Sequence, residues 1–144
     1  MCLVVDKCNA LIAKKDITCY KAYMYFEHRD ECKSPFHPCR IKKFNEVIHV
    51  PIFLDSIKEN QVCFGFHTFC DEKDAKYFAT LFSYKVFKCI IPKGSKYYKG
   101  VIDSTPEQFI PGYCSESLIV ISDDINISPL KKLKKLFTNL FFNL

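Results

Sequence analysis

Four possible metal ligands lie within twelve residues of one another in the first third of the chain. They are His28, Cys32, His37 and Cys39. Zn²⁺ accepts mixed sets of cysteine and histidine in a tetrahedral arrangement. The segment lacks the short Cys-x2-Cys spacing of common zinc sites, and two prolines stiffen it. We therefore interpret it as a surface loop and predict no metal site, with zinc binding by these four residues as the alternative.

Two other groups of residues could support chemistry. Cys63, His67 and Cys70 are close in sequence, but on a strand Cys70 points away from the face that the other two share. Removal of Met1 would leave Cys2 as an N-terminal nucleophile, because a free α-amine can act as its base. The sequence offers no recognisable oxyanion hole for such a reaction, so we favour an incidental cysteine. It also contains no nucleophile elbow, phosphate-binding glycine loop or dinucleotide fingerprint.

Length and composition predict a single domain in a reducing compartment. The chain has 144 residues, 49% of them hydrophobic, with 14 Phe and 8 Tyr, which is enough to fill one core. Nine cysteines are an odd number, several lie in apolar strand-like runs, and residues 1–6 show no signal-peptide pattern. We therefore expect reduced thiols and a cytoplasmic location. No apolar run reaches the roughly 20 residues of a membrane-spanning helix.

Charge gives weak evidence about partners. The net charge of +5 permits an anionic partner without requiring one. Lysines and aromatic residues interleave at 84–88 and 96–99, a pattern that could neutralise phosphates and stack bases. A half-buried strand with lysines facing solvent gives the same alternation. We therefore predict that nucleic-acid binding is not the function.

Hydrophobic periodicity predicts strands for most of the chain. Asp71 can cap a helix over about 71–82, because Ala75, Phe78, Ala79 and Phe82 then share one face. Strands joined by short links predict an α+β fold with a mostly antiparallel sheet, in one domain over residues 1–125. The predicted strands are 17–26, 61–69, 84–92, 96–102 and 117–122, with an apolar segment at 46–54 that Pro51 interrupts or places at an edge. The predicted irregular connections are 27–43 and 105–112.

The last segment, 126–144, is predicted to be a C-terminal amphipathic helix over about 129–143. Ser128 can cap it, and Pro129 suits its first position. The four nearby lysines lie largely off a single apolar stripe, which consists of Leu130, Leu133, Phe137, Leu140, Phe141 and Leu144. We favour packing of this stripe on the sheet, on a second copy or on another protein. The alternatives are the groove of a partner and an anionic membrane surface.

Five segments resemble small proteins of gut Bacteroidetes and their phages. The resemblance covers most of the chain up to about residue 123. It implies a bacterial or phage origin, and with it a location in the bacterial host cytoplasm or a virion, without implying an activity. The matching segments are 1–3, 12–21, 65–69, 89–98 and 115–120.

Residues 17–122 resemble the ADP-ribosyltransferase fold in the order of four motifs. Residues 18–21 (Thr-Cys-Tyr-Lys) resemble the end of its first strand, with Lys21 where the family has Arg or His. Residues 66–69 (Phe-His-Thr-Phe) resemble its middle strand, and residues 91–94 (Ile-Pro-Lys-Gly) resemble a later turn. Glu116 stands where the catalytic glutamate precedes the last apolar strand.

This resemblance implies a nucleotide-handling domain with NAD as its cofactor. Glu116, His67 and Tyr20 would be catalytic, and Lys21 and Thr68 would bind the cofactor. The glutamate would stabilise a developing oxocarbenium ion from a site that excludes water. The alternative is a non-catalytic interaction or virion-associated protein that acts through its aromatic surface and C-terminal helix. Glu116 would then be a surface carboxylate.

Overall fold

The structure is a computed structural model and describes residues 3–5, 9–26, 31–33, 40–41, 44–54, 60–82, 84–102 and 110–122. The one helix in these ranges, α1, is Glu72–Phe82. The strands are β1 Leu3–Val5, β2 Leu11–Ile12, β3 Ile17–Phe26, β4 Glu31–Lys33, β5 Arg40–Ile41, β6 Val47–His49, β7 Phe53–Leu54, β8 Gln61–Phe64, β9 Phe66–Phe69, β10 Lys85–Ile91, β11 Lys96–Ile102, β12 Ile110–Ser115 and β13 Ser117–Val120.

Several predictions fall outside these ranges. The described residues do not include the predicted C-terminal helix at 129–143 or the rest of segment 126–144. They also exclude Cys2 and three of the four possible zinc ligands, His28, His37 and Cys39.

The strands form a strongly curved antiparallel sheet that resembles half of a barrel. Every strand pairing in the described ranges is antiparallel, in the order β6-β13-β10-β3-β9-β12-β11-β1-β8-β7. Strand β2 pairs with β11, and β4 pairs with both β3 and β5. The predicted α+β class, mostly antiparallel sheet and internal helix are therefore confirmed.

Two sharp bends produce the curvature. The predicted strand 61–69 is divided at Gly65, so that β8 pairs with β1 and β7 while β9 pairs with β3 and β12. Glu116 likewise separates β12 from β13, which pairs with β10 and β6. Each bend joins two strands that are not neighbours in the sheet. Three strands lie between β8 and β9, and three lie between β12 and β13. The sheet must curve to bring the members of each pair together at the bend.

Buried side chains form two clusters, one on each side of the central strands. Helix α1 closes the first cluster by packing over β3 and β10. The first cluster contains Leu3, Val5, Ala22, Val62, Phe69, Ala75, Phe78, Ala79, Tyr98, Ile102, Ile110 and Cys114. The second contains Ala13, Cys19, Tyr23, Cys32, Phe66, Phe87, Cys89, Ile91, Leu118 and Val120. Burial of each large apolar side chain contributes roughly 1.5–3 kcal/mol to stability.

Two predicted irregular segments were wrong in part. The segment 27–43 contains β4 and β5, and residues 110–112 belong to β12 instead of a loop. Pro111 is compatible with β12 because its carbonyl still accepts a hydrogen bond from Cys70 N at 3.2 Å. Burial of Ile110 and close packing of Gly112 against Ile102 outweigh the local turn signal of proline and glycine.

Candidate functional site

Lys21 is buried in the middle of the sheet. Strand alternation places it on the same side of β3 as Cys19 and Tyr23, which belong to the second cluster. Its side chain is 6% exposed, and Nζ donates a hydrogen bond to the carbonyl of His67 at 2.6 Å. Nζ also lies 5.1 Å from the ring centroid of Tyr23. A buried ammonium group needs such contacts, and here they join β3 to β9.

His67 points toward the first cluster, and its ring lies close to two main-chain carbonyls. Its Nε2 lies 2.8 Å from the oxygen of Val62, and its Nδ1 lies 3.2 Å from the oxygen of Gly65. The ring is 3% exposed. In the neutral ring, donation from Nε2 to the closer carbonyl leaves Nδ1 as an acceptor. Nδ1 then faces the sulfur of Cys114 at 4.0 Å, and the hydrogen bond from Nε2 ties β9 to β8.

Thr68 lies next to His67 in sequence but on the opposite side of the sheet. It is completely buried, and its hydroxyl approaches the thiol of Cys19. Burial raises the pKa of Cys19 from 9.0 to about 12, and the Thr68 hydroxyl partly offsets this effect. The Cys19 thiol therefore stays protonated at neutral pH, and it is a structural group without nucleophilic character.

Glu116 fastens the bend between β12 and β13. Its Oε1 accepts a hydrogen bond from Lys96 N at 2.9 Å, and its own N–H donates to the carbonyl of Lys96 at 3.1 Å. Its carbonyl accepts from Val50 N at 2.8 Å. The glutamate thus connects the start of β11 with the residue after β6.

The strand register relates the three predicted catalytic residues to one another. Tyr20 lies opposite Phe69, and His67 lies opposite Cys114. Tyr20 and His67 are therefore diagonal neighbours on adjacent strands, and Glu116 comes two residues after the partner of His67. Such diagonal positions are about 7–8 Å apart. The structure brings Tyr20 and His67 to one side of the sheet, whereas the predicted cofactor ligands, Lys21 and Thr68, face the other.

Two further residues of β12, Tyr113 and Cys114, form contacts in this region. The sequence did not predict a role for either of them. The thiol of Cys114 donates to the carbonyl of Phe64 at 3.2 Å, across the bend at Gly65. Burial raises the pKa of Tyr113, and a hydrogen bond with Cys70 adds to the shift. Their sequence shows only the alternation of a strand, so no local signal marks either residue.

Neither a metal cluster nor a membrane helix is present in the described ranges. No group of three or more His, Cys, Asp or Glu side chains there is arranged to hold a metal ion. The helix in that part of the chain is too short and polar to cross a bilayer. Six cysteines, including Cys32, lie in that part of the chain, and none of them forms a disulfide there.

No protein-family model, curated protein or solved structure matches the chain. The two resemblances therefore rest on the sequence motifs alone.

Proposed function

We propose that this chain is a non-catalytic interaction domain that binds another protein. The observation that carries the proposal is that the reactive groups of the transferase-like motifs bond to the sheet itself. Lys21 Nζ donates a hydrogen bond to the carbonyl of His67, and Nε2 of His67 donates one to the carbonyl of Val62. A transferase needs such groups aimed at the sugar of its substrate. Here they stabilise two bends and the joint between β3 and β9.

Helix α1 supplies the binding surface in this proposal. On its outer side Tyr77 is 52% exposed and Leu81 is 61% exposed, and residues four apart are neighbours on a helix. A large aromatic side chain beside an aliphatic one is the composition of an interface core. Exposed Lys73, four residues before Tyr77, lies beside this pair and suits an interface rim. We call Tyr77 and Leu81 the helix pair.

The predicted C-terminal helix, 129–143, belongs to the same proposal. An isolated helix of this length is marginal in water, so its apolar stripe needs a protein surface. We propose that the stripe packs against protein rather than lipid, since Leu136 and Phe142 widen it beyond a narrow membrane-facing band.

Site-specific photo-crosslinking in a bacterial host tests the helix pair. A photoreactive p-benzoylphenylalanine replaces Tyr77 or Leu81 in the full chain, and Lys99, exposed on β11, is the matched control position. We expect one discrete crosslinked protein from positions 77 and 81 and none from position 99. Identical products from all three positions, or no product from any, would refute the proposal.

The rival function is nucleotide handling by an ADP-ribosyltransferase-like site. The diagonal placement of Tyr20 and His67 on adjacent strands favours it, because these two residues come from different motifs. Labelled NAD should then be hydrolysed or transferred by the wild type and not by Glu116→Gln. The glutamine oxygen can still accept the hydrogen bond from Lys96 N, so this variant should remain folded. Glu46→Gln, at an exposed position, is the control. Absence of turnover by the wild type, or equal turnover by all three proteins, would eliminate the enzyme.

A further inference from the structure

An apolar row crosses three strands on the outer face of the sheet and ends at Thr18 on a fourth. Val47 pairs with Ile119, Ile119 pairs with Ile90, and Ile90 pairs with Thr18. These side chains share one face, which is opposite to that of Leu118 in the second cluster. Val47 is 44% exposed. Ile90 and Ile119 are half-buried, yet they belong to neither buried cluster.

A second row extends this surface toward the end of the described chain. Ile121 N donates to the carbonyl of Lys88 at 3.0 Å, and Lys88 pairs with Tyr20. Ile121 and Tyr20 are half-buried, whereas Lys88 is exposed. Farther along β3 and β10 the same face belongs to the first cluster, where Ala22 is buried and Tyr20 and Val86 pack against it. We call Val47, Ile90, Ile119 and Ile121 the outer patch.

The chain itself supplies a segment with suitable length, position and pattern. The described residues end at Ser122, one residue after Ile121 of the outer patch. Residues 123–128 can span about 20 Å when extended, so a helix that starts at 129 can reach any part of the patch. Four strands spaced about 4.8 Å apart make a row about 14 Å wide. A helix over 129–143 is about 22 Å long and would cross the row completely.

We propose that the apolar stripe of residues 129–143 packs across the outer patch of the same chain. This inference rests on the C-terminal helix of the proposed function and identifies the protein surface that the helix covers. The lysines between Leu130 and Leu136 lie largely off the stripe and would remain in water. The sheet would then carry two helices on one face, with α1 over one end and the C-terminal helix over the other.

Intramolecular crosslinking of the full chain tests the contact. p-Benzoylphenylalanine replaces Val47, whose exposure leaves room for it, and the same residue in place of Leu81 is the control. Purified protein is irradiated, and crosslinked peptides are identified by mass spectrometry. We expect position 47 to link to peptides from 129–144 and position 81 not to do so. No link from position 47, or equal links from both positions, would overturn the inference.

Three further outcomes distinguish packing of residues 129–143 on the outer patch from the proposed function, which is binding of another protein. Mixing ¹⁴N- and ¹⁵N-labelled protein should give links within one isotope only, and mixed links would replace the intramolecular contact with a second copy. Flotation of the full chain with anionic vesicles, together with loss of the position-47 link, would favour a membrane instead. If the position-47 link is absent while positions 77 and 81 still capture a partner, the inference fails and the interaction function stands.

A mutant cycle gives an independent measurement. Phe137→Ala and Ile119→Ala should each lower the melting temperature of the full chain. The double variant should lose less than the sum of the two shifts, because both changes remove the same contact. Strictly additive shifts would contradict the contact between the stripe and the outer patch.

Discussion

Replacement of Gly65 by alanine should destabilise the protein strongly, because two separate costs coincide at this bend. Gly65 has a φ of +125°, a conformation that side chains other than glycine adopt at a cost of about 1–3 kcal/mol. A Cβ there would also clash with Cγ2 of Ile52, and it would lie 2.5 Å from Sγ of Cys114. Overpacking of this kind costs about 1–3 kcal/mol. We therefore expect Gly65→Ala to lower the free energy of unfolding by about 2–6 kcal/mol.

Gly94 offers a matched control for the backbone cost alone. Its φ is +86°, and a Cβ there would meet no atom within 4 Å. Gly94→Ala should therefore cost only the backbone strain, about 1–2 kcal/mol. The difference between the two variants measures the crowding at the bend. Domains are typically stable by only about 5–15 kcal/mol, so Gly65→Ala can unfold a substantial fraction of the molecules.

Urea denaturation followed by circular dichroism measures the loss of unfolding free energy in Gly65→Ala and in Gly94→Ala. A double variant, Gly65→Ala with Cys114→Ala, removes the sulfur that the new Cβ would meet. It should lose less than the sum of the single variants, with a coupling of about 0.5–3 kcal/mol. If Gly65→Ala costs no more than Gly94→Ala, the close approach of β8, β9 and β12 at this bend is refuted.

Other predictions concern the thiols and Glu116. Burial raises the pKa of Cys19 from 9.0 to about 12, so above pH 9 the unfolded chain loses a proton that the folded chain keeps. The free energy of unfolding should fall as the pH rises from 9 to about 12, by up to about 1.4 kcal/mol per pH unit. Cys19→Ala should reduce this pH dependence when it is measured by urea titration. Iodoacetamide at pH 8 should spare Cys19 and Cys89 in the native protein, whereas close to nine thiols should react after denaturation without reductant; a count near one would indicate disulfides. Glu116→Ala should cost about 1 kcal/mol and Glu116→Gln less in the same titrations; a greater loss for Gln would contradict the hydrogen bond to Lys96.

The sequence predicted those strands and helices in which apolar and polar residues alternate with one regular period from end to end. β3 and β11 match the predicted ranges 17–26 and 96–102, and α1 begins one residue after the predicted cap, Asp71. The bends were not predicted, because an apolar run such as 61–69 shows the same composition whether or not it is interrupted. Gly65 was the available signal, since an isolated glycine in a strand pattern often marks a bend.

The site was predicted less well than the fold because motif order says nothing about which face a side chain occupies. Tyr20 and Lys21 are consecutive in β3, and His67 and Thr68 are consecutive in β9. Consecutive residues of a strand face opposite sides, so each pair must divide between the two faces. This division follows from the sequence once the strands are assigned. The hydrogen bond from Lys21 to the carbonyl of His67 does not, because it depends on how β3 and β9 meet.

The two bends act as one structural unit, which gives Glu116 a role that requires no substrate. Cys114 donates to the carbonyl of Phe64 beside Gly65, and Glu116, two residues after Cys114 and just past the end of β12, accepts a hydrogen bond from Lys96 N. The bend at Gly65 therefore holds β12 in place just before β12 itself bends. A carboxylate at the second bend supplies an acceptor to the first N–H of β11, whose following residue pairs with Ser115. The same glutamate that resembles a catalytic residue thus stabilises the point at which the sheet changes direction.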